Sequence, residues 1–406
     1  MTEKLRILVC DDRPAAVQSW TERLMTIPEV KTAFEIDSIK SPDEFHREVG
    51  ALDERRRKSM TWDENEDWTE TTVFDTADIL VIDYDLYDLA SGATGERVAY
   101  LARCYSRCGL IVALNQFRPG GFDLRLRGHP ESFAELNISD RNLDNPGLWS
   151  TRFRGFRPWS WPSLPAALKS YRTRATRLLT RLDHAIFDEL GFSGTVVPSL
   201  GRDVVGFLEG QRRAETATFE DFVRLSGQGV RGGDRAPRPA RARIAAARLS
   251  KWVERLVLPA QDAVVDAPHL VSRFPSLLTG SVTQIGSWNK TAQLTHDVHR
   301  LGIHHARIAP FRAEDGLWFS RAVWFWASLA NFSDIEEVAE PWKLVESPYV
   351  FCEDVSRFLR RQDAREFVAD LATPFRQRWV TGSTDAGKRA RGGAKVTYHP
   401  PGRLAR

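Results

Sequence analysis

The chain has 406 residues, of which 42% are hydrophobic and 27% are charged, as is typical of folded proteins with a buried core. This composition argues against a disordered or fibrous chain. The formal net charge of +3 is too small for a protein whose whole surface binds a polyanion. Four scattered cysteines, the lack of a secretory signal and the lack of an apolar run of membrane-spanning length predict a cytoplasmic protein with no membrane partner.

The first part of the chain predicts strands that alternate with helices. Leu5–Cys10 is a short apolar run typical of a buried parallel strand, and Pro14 stands where an amphipathic helix begins. Phe34–Ile39 predicts a second strand, and Ser41 is suited to cap the helix that follows it. The charged stretch at about residues 53–76 lacks a clear period, so we interpret it as an insertion.

Two stronger strands follow, over Ile79–Asp83 and Leu110–Asn115, with a helix predicted over Glu96–Arg107 between them. Short apolar strands alternating with helices predict an α/β fold with a doubly wound parallel sheet. A second insertion is expected at about residues 117–152. A fifth strand is then predicted over Phe153–Phe156.

The rest of the chain predicts a change of architecture. Residues 1–185 are assigned to the α/β domain, and residues 186–243 to a connecting segment with a basic linker. Residues 244–380 are expected to form a mainly α-helical C-terminal domain, and residues 381–406 a basic tail. The helical expectation rests on four segments: Ile244–Leu258, Ala292–Leu301, Leu317–Leu329 and Cys352–Leu371.

Acidic residues end two of the predicted strands. Asp11 and Asp12 follow the first strand, and Asp83 ends the strand that begins at Ile79. Because the carboxyl ends of parallel strands share one crevice, we expect these carboxylates to lie close together. Oxygen ligands of this type suit Mg²⁺, which in turn neutralises the oxygens of a phosphoryl group. The pattern therefore predicts a site suited to phosphorylation of an aspartate.

Short motifs carry a family resemblance: LVCDD (Leu8–Asp12), ILVID (Ile79–Asp83), Gly95, LIVALN (Leu110–Asn115) and FRP (Phe156–Pro158). Together they resemble the receiver domain of bacterial response regulators, over roughly residues 4–175. The resemblance implies a receiver-like, flavodoxin-like fold with a doubly wound sheet of five parallel strands.

The resemblance also implies roles for individual residues. Asp11 and Asp12 match the acidic pair that binds the metal, and Asp83 matches the phosphoacceptor, which also contacts the metal. The backbone carbonyl of Asp85 matches the third protein ligand to Mg²⁺.

Two residues depart from the family pattern. Asn115 stands where a hydroxyl residue ends the fourth strand, and its amide can still donate a hydrogen bond to a phosphoryl group. Arg157, before Pro158, stands where the family has lysine, and it presents a planar fork instead of a point charge. The chain therefore resembles a divergent receiver with insertions.

This resemblance implies a two-component-type signalling protein that is phosphorylated on Asp83 by a histidine kinase or another phosphodonor. The C-terminal domain would then control a protein effector partner. Receivers that carry insertions and a further C-terminal region, as here, are similar to those encoded in bacterial stress and anti-phage defence gene sets. An enzymatic activity is not expected on this interpretation.

Two other functions remain open. The basic stretch over Arg231–Arg255 is compatible with a DNA-binding transcriptional regulator, although no helix-turn-helix pattern accompanies it. Asp83 and Asp85 also fit the DxD opening of haloacid-dehalogenase-like phosphatases, which are metal-dependent. That family requires a later acidic motif, whereas the acidic pair here lies upstream.

Two further groups of potential metal ligands have more ordinary interpretations. His296 and His299 share a helical face and suit zinc, but no third ligand is fixed by the sequence, so a structural role is favoured. Cys104 and Cys108 lie one helical turn apart without a second such pair, which favours buried thiols.

Overall fold

The structure is a computed structural model of the full chain. It describes residues 4–39, 41–61, 63, 65–84, 86, 94–115, 132–153, 162–192, 196–201, 205–206, 208, 214–225, 236–313, 317–330, 335, 349–353, 355–368, 377–381 and 396–397.

Five parallel strands form the N-terminal sheet, in the order β2-β1-β3-β4-β5. They are β1 (Leu5–Cys10), β2 (Phe34–Ser38), β3 (Ile79–Asp83), β4 (Leu110–Asn115) and β5 (Leu136–Ser139). Helices flank the sheet, and this strand order is that of flavodoxin-like proteins. The predicted parallel five-stranded α/β sheet is therefore confirmed.

The helices of the described residues alternate with these strands and continue beyond them. They are α1 (Pro14–Leu24), α2 (Pro28–Ala33), α3 (Pro42–Lys58), α4 (Gly95–Tyr105), α5 (Pro146–Trp149), α6 (Leu164–Leu178), α7 (Ile186–Glu189), α8 (Phe219–Leu225), α9 (Arg238–Trp252), α10 (Leu258–Ala260), α11 (Ala267–Arg273), α12 (Ile285–Thr291), α13 (His305–Ile308) and α14 (Trp326–Ala330). Ser41 caps α3 as predicted, since its side chain accepts a hydrogen bond from the Glu44 amide at 3.2 Å.

The fifth strand lies in a different place from the one predicted. β5 pairs with β4 through Val112 and Leu136, inside the stretch that we interpreted as an insertion. Phe153, at the start of the predicted strand, is not in a strand, and residues 154–156 lie outside the described residues. Only two of the four β5 residues, Leu136 and Ile138, are large and apolar, so its alternating pattern is too short to stand out in the sequence.

The stretch at about residues 53–76 is packed against the N-terminal domain. α3 runs into it as far as Lys58, and Trp68 within it is buried. Arg55 is also buried and forms a bidentate ion pair with Asp75, at 3.0 and 2.7 Å. In the sequence, residues that form a buried ion pair cannot be distinguished from charged residues on the surface. We therefore did not predict that this stretch contributes to the core.

A long helical segment follows at the start of the C-terminal half. α9 passes into a π-helical turn over Val253–Val257 and then into α10. Pro259 explains the wide turn, because proline has no amide hydrogen to donate and its ring clashes with the carbonyl one turn earlier. The predicted helix over Ile244–Leu258 is confirmed, and it begins earlier, at Arg238.

The remaining strands are β6 (Val264–Asp266), β7 (Val323–Phe325), β8 (Tyr349–Cys352), β9 (Arg357–Arg360), β10 (Ala364–Val368), β11 (Gln377–Thr381) and β12 (Val396–Thr397). β6 and β7 pair with each other, and the other five form a mixed sheet in the order β12-β10-β11-β8-β9.

The helix predicted over Cys352–Leu371 is therefore wrong for the described residues. Val355, Phe358 and Leu359 have helical spacing, but they are divided between a turn and β9. Ser356 has a φ of 48°, a left-handed conformation that fits the turn between β8 and β9. The described C-terminal half contains both helices and a sheet.

The described residues form two main cores. One runs from the N-terminal sheet through α6 to Trp252 of α9, so the sheet and the long helix share buried apolar contacts. The second surrounds Trp288 and Phe358 and lies between the later helices and the C-terminal sheet. Among the described residues, no helix has the length and apolarity needed to cross a bilayer.

Candidate functional site

Three aspartates meet at the carboxyl edge of the N-terminal sheet. Asp11 and Asp12 follow β1, and Asp83 ends β3, which lies beside β1 with Cys10 opposite Ile82. Their side chains are 0%, 2% and 0% exposed. We call this group the acidic pocket.

The Arg13 side chain contacts all three carboxylates of the acidic pocket. Its Nη2 donates a hydrogen bond to Asp83 Oδ2 at 3.1 Å, and its Nε lies 3.4 Å from Asp11 Oδ1 and 3.9 Å from Asp12 Oδ1. The Arg13 backbone amide separately donates to Asp11 Oδ1 at 2.8 Å. We did not predict this role, although a basic residue stands directly after the acidic pair, where Ser, Thr, Asp or Asn is the usual helix cap, and this position is a usable signal.

The acidic pocket carries unbalanced charge. Burial raises the pKa of Asp11 to about 8, and the neighbouring Asp12 and Asp83 carboxyl groups add to the rise. Asp11 Oδ2 is buried and accepts no hydrogen bond from the described residues. Burying a carboxylate oxygen in this way is unfavourable, so the pocket attracts a further positive charge.

The residues of the pocket fit a hard cation such as Mg²⁺. The donors are all carboxylate oxygens, the ligand type that Mg²⁺ prefers, and the buried Asp11 Oδ2 is available. The described residues nevertheless hold no set of three His, Cys, Asp or Glu side chains already arranged as metal ligands. The Arg13 guanidinium contacts the same three carboxylates.

Helix α4 begins against the backbone of the predicted phosphoacceptor. Thr94 caps the helix, and the Gly95 amide donates to the Tyr84 carbonyl at 3.2 Å. A Cβ atom at Gly95 would lie 2.6 Å from the Tyr84 Cα and would clash with the Asp83 carbonyl oxygen. Only glycine allows this close approach, which explains why Gly95 is needed at this point.

The other predicted site residues are only partly described. The Asn115 backbone ends β4 and is paired with Ser139 of β5, which places it at the same sheet edge as Asp83, while its side chain lies outside the described part. Asp85 and Arg157 also lie outside the described residues.

A buried polar junction joins the N-terminal domain to α9. Glu96, the residue after Gly95, accepts hydrogen bonds from the Ser132 hydroxyl at 2.7 Å and the Phe133 amide at 2.5 Å. From α9, Arg248 and Lys251 both donate to the Ser132 carbonyl, at 2.7 and 3.1 Å. Gly95, which packs against the Asp83 and Tyr84 backbone, is therefore directly followed by Glu96, which belongs to this junction.

Burial shifts the pKa values of two ionisable side chains at this junction. Burial raises the pKa of Glu96, although Ser132 and Phe133 stabilise its ionised form. Burial lowers the pKa of Lys251 to about 7. Sequence reasoning missed this contact, because a lysine within an apolar stretch of a helix is usually placed on the surface.

A second buried group of charges lies in the C-terminal half. His269 contacts Asp266 at 2.5 Å through Nδ1 and Glu353 at 3.1 Å through Nε2. Arg378 donates to Glu353 at 2.6 Å, and Arg321 donates to Asp266 at 3.2 Å. With Glu254, which lies 3.6 Å from Arg321, these residues form what we call the C-terminal charge cluster. Both ring nitrogens of His269 face carboxylates, so this arrangement ties elements together.

Two arginines of α9 that the basic stretch contributes, Arg241 and Arg243, are paired with acidic residues of the protein. Arg241 is 4% exposed and lies 3.2 Å from Glu220, and Arg243 forms a bidentate pair with Asp67 at 2.9 and 2.8 Å. These two arginines are therefore not presented to a nucleic acid. Residues 226–235, including Arg231, lie outside the described residues.

The histidine and cysteine groups do not form metal sites in the described part of the chain. The His299 and His305 rings are in edge-to-face contact with centroids 4.5 Å apart, and the carbonyl of His296 accepts a hydrogen bond from Arg312. Cys104 and Cys108 are buried thiols, as the sequence analysis favoured.

Comparison with known proteins adds no family assignment. A scan against protein-family models finds no match for this chain, and a search of curated proteins finds no similar sequence.

Proposed function

We propose that the chain is a two-component-type signalling protein whose N-terminal domain is a divergent receiver. In this proposal the acidic pocket binds Mg²⁺ and Asp83 accepts a phosphoryl group from a histidine kinase or a small phosphodonor. The observation that carries the proposal is the meeting of Asp11, Asp12 and Asp83, all buried, at the carboxyl ends of two neighbouring parallel strands.

The residues of the pocket suit the chemistry of an aspartyl phosphate. A carboxylate oxygen of Asp83 attacks the phosphorus atom, the bond from phosphorus to the donor's leaving group breaks, and the leaving group takes the electron pair. Mg²⁺, held by Asp11, Asp12, Asp83 and the Asp85 carbonyl, would neutralise the phosphoryl oxygens. Asn115 and Arg157 are proposed to contact those oxygens.

The output is proposed to pass through α9 to a protein effector partner. Phosphorylation replaces one carboxylate charge with close to two negative charges on the phosphoryl group. Because Gly95 is packed against the backbone of Asp83 and Tyr84, a shift there would move Glu96 and its partners at the buried polar junction. A cytoplasmic role in bacterial stress or phage defence would follow from the family resemblance alone.

Mass spectrometry of the intact protein tests this proposal. Incubation with acetyl phosphate and Mg²⁺ is expected to add the mass of one phosphoryl group, in an adduct that is stable in acid and labile in base. Asp83→Asn should abolish the adduct. Asp37→Asn is the matched control, because Asp37 lies on β2 and is 48% exposed, away from the pocket. An unmodified wild-type mass with several phosphodonors would contradict the proposal.

A further inference from the structure

We propose that Arg13 is a built-in counter-cation that competes with Mg²⁺ for the acidic pocket. Its guanidinium would neutralise the carboxylates when the metal is absent and would leave them when the metal binds. The inference rests on the proposed function, since it takes Mg²⁺ as the ion that the pocket receives.

The contacts of Arg13 are those of a substitute cation. One guanidinium reaches Asp83 at 3.1 Å, Asp11 at 3.4 Å and Asp12 at 3.9 Å. These are the three side chains proposed to hold the metal. Arginine donates hydrogen bonds to carboxylates and cannot lose its charge, so it and a divalent cation would repel each other if both contacted the same oxygens.

The Arg13 side chain has a route out of the pocket. It is 45% exposed, whereas the three carboxylates are almost fully buried, so the guanidinium reaches the acidic pocket from the solvent side. Rotation about its side-chain bonds would bring it into water without disturbing the core. The hydrogen bond from the Arg13 backbone amide to Asp11 is independent of the side chain and would keep Asp11 in place.

The charge balance favours the exchange. When all three carboxylates are ionised, as metal binding requires, they and one guanidinium sum to −2, so Arg13 alone leaves the acidic pocket under-compensated. A divalent cation in place of the guanidinium would bring this sum to −1 and would also engage the buried Asp11 Oδ2, which accepts no hydrogen bond from the described residues. The departing guanidinium recovers its contacts with water, which lowers the free energy needed to release it.

Calorimetric titration of the full-length protein with MgCl₂ tests the inference. Arg13→Gln should bind Mg²⁺ roughly tenfold more tightly than the wild type, because the competing charge is gone. Arg13→Lys should stay closer to the wild type, since it keeps a cation at the same position. Arg23→Gln is the matched control, because Arg23 lies on α1, the helix that Arg13 directly precedes, and pairs with the distant Asp144 at 2.8 Å. The Mg²⁺ affinity of this variant should equal that of the wild type.

The outcomes separate this inference from the proposed function. Equal Mg²⁺ affinity in wild type and Arg13→Gln overturns the competition and leaves the proposed function standing. Loss of Mg²⁺ binding in a folded Arg13→Gln variant also overturns it, since Arg13 would then support the metal site. If neither the wild type nor Arg13→Gln binds Mg²⁺, and acetyl phosphate labels neither, the proposed function fails together with the inference. Thermal unfolding of each variant checks that the fold is retained.

Discussion

The acidic pocket and the C-terminal charge cluster are both buried and both rich in carboxylates, but they differ in charge balance. The pocket has three aspartates and one half-exposed arginine. The C-terminal charge cluster has three acids and three bases. The acids are Asp266, Glu254 and Glu353, and the bases are His269, Arg321 and Arg378. Within the cluster the charges sum to zero when His269 is protonated.

We relate this difference to a structural role for the C-terminal charge cluster and to the proposed metal-binding role of the acidic pocket. In the C-terminal cluster each charge meets an opposite charge supplied by the protein, so the cluster can hold helices and strands together. In the acidic pocket the protein leaves negative charge uncompensated, which is unfavourable for folding and favours an external cation. Four predictions test whether the two groups differ in this way.

The largest expected effect is on the C-terminal cluster. Arg378→Met would leave Glu353 without its closest charged partner, which is 2.6 Å away, in a buried site. We expect a loss of about 3–5 kcal/mol in the free energy of unfolding, measured by urea denaturation. Arg300→Met, at a 71% exposed side chain paired only with Asp297, should change it by less than about 0.5 kcal/mol. If Arg378→Met and Arg300→Met changed the free energy of unfolding equally, the C-terminal charge cluster would add nothing to stability.

The second effect concerns the acidic pocket. Mg²⁺ at about 100 times its dissociation constant should stabilise the protein by about 2.7 kcal/mol, because the ion binds only the folded state. Urea denaturation with and without Mg²⁺ should show this gain in the His269→Gln variant and not in Asp12→Asn. A gain that survives Asp12→Asn would place the ion elsewhere.

The third effect is a gain of stability without metal. The pKa of Asp11 is about 8 in the folded protein and 3.8 ordinarily, so the folded state keeps a proton that the unfolded chain loses. Wild-type stability in EDTA should therefore be full below about pH 4 and fall as the pH rises to about 8. Asp11→Asn should remove this fall and be more stable than wild type by about 1 kcal/mol at pH 8. A variant that is less stable at pH 8 would contradict the unbalanced pocket.

The smallest effect is the pH dependence of the C-terminal cluster. Burial alone would lower the pKa of His269, but the carboxylates of Asp266 and Glu353 raise it above its ordinary value of 6.5. The stabilisation from this imidazolium should be full below pH 6.5 and be lost as the pH rises through the raised value. Unfolding of His269→Gln, measured between pH 6 and 9, should lack this loss. An identical pH profile in the two proteins would show that His269 is neutral in the cluster.

The sequence predicted the parts of the fold that depend on local pattern. The strands β1, β3 and β4 are nearly continuous apolar runs, as expected of strands buried on both faces, and the acids after β1 and at the end of β3 could be placed on one edge from topology alone. We did not predict β5 because this strand is only four residues long. We did not predict the C-terminal sheet because the apolar residues in a turn and in the adjoining strand have the spacing of a helix.

The site was predicted in part for the same reason. Strand ends fix where Asp11, Asp12 and Asp83 lie, but the direction of a long side chain such as Arg13 depends on tertiary contacts. Glu96 and Lys251 both contact Ser132, although they are far apart along the chain, and no local period reports such contacts. The long-range pairing of buried charged groups therefore could not be predicted from the local sequence pattern.

The shared core between the N-terminal sheet and α9 restricts how these two regions can move relative to each other. Arg248 and Lys251 are anchored to the segment that precedes β5, so the long helix cannot swing away as a tethered module would. A chain cut after residue 185 would expose the apolar surface that α9 covers and would tend to aggregate. Under the proposed function, a change at the sheet edge would therefore reach α9 as small displacements of packed residues.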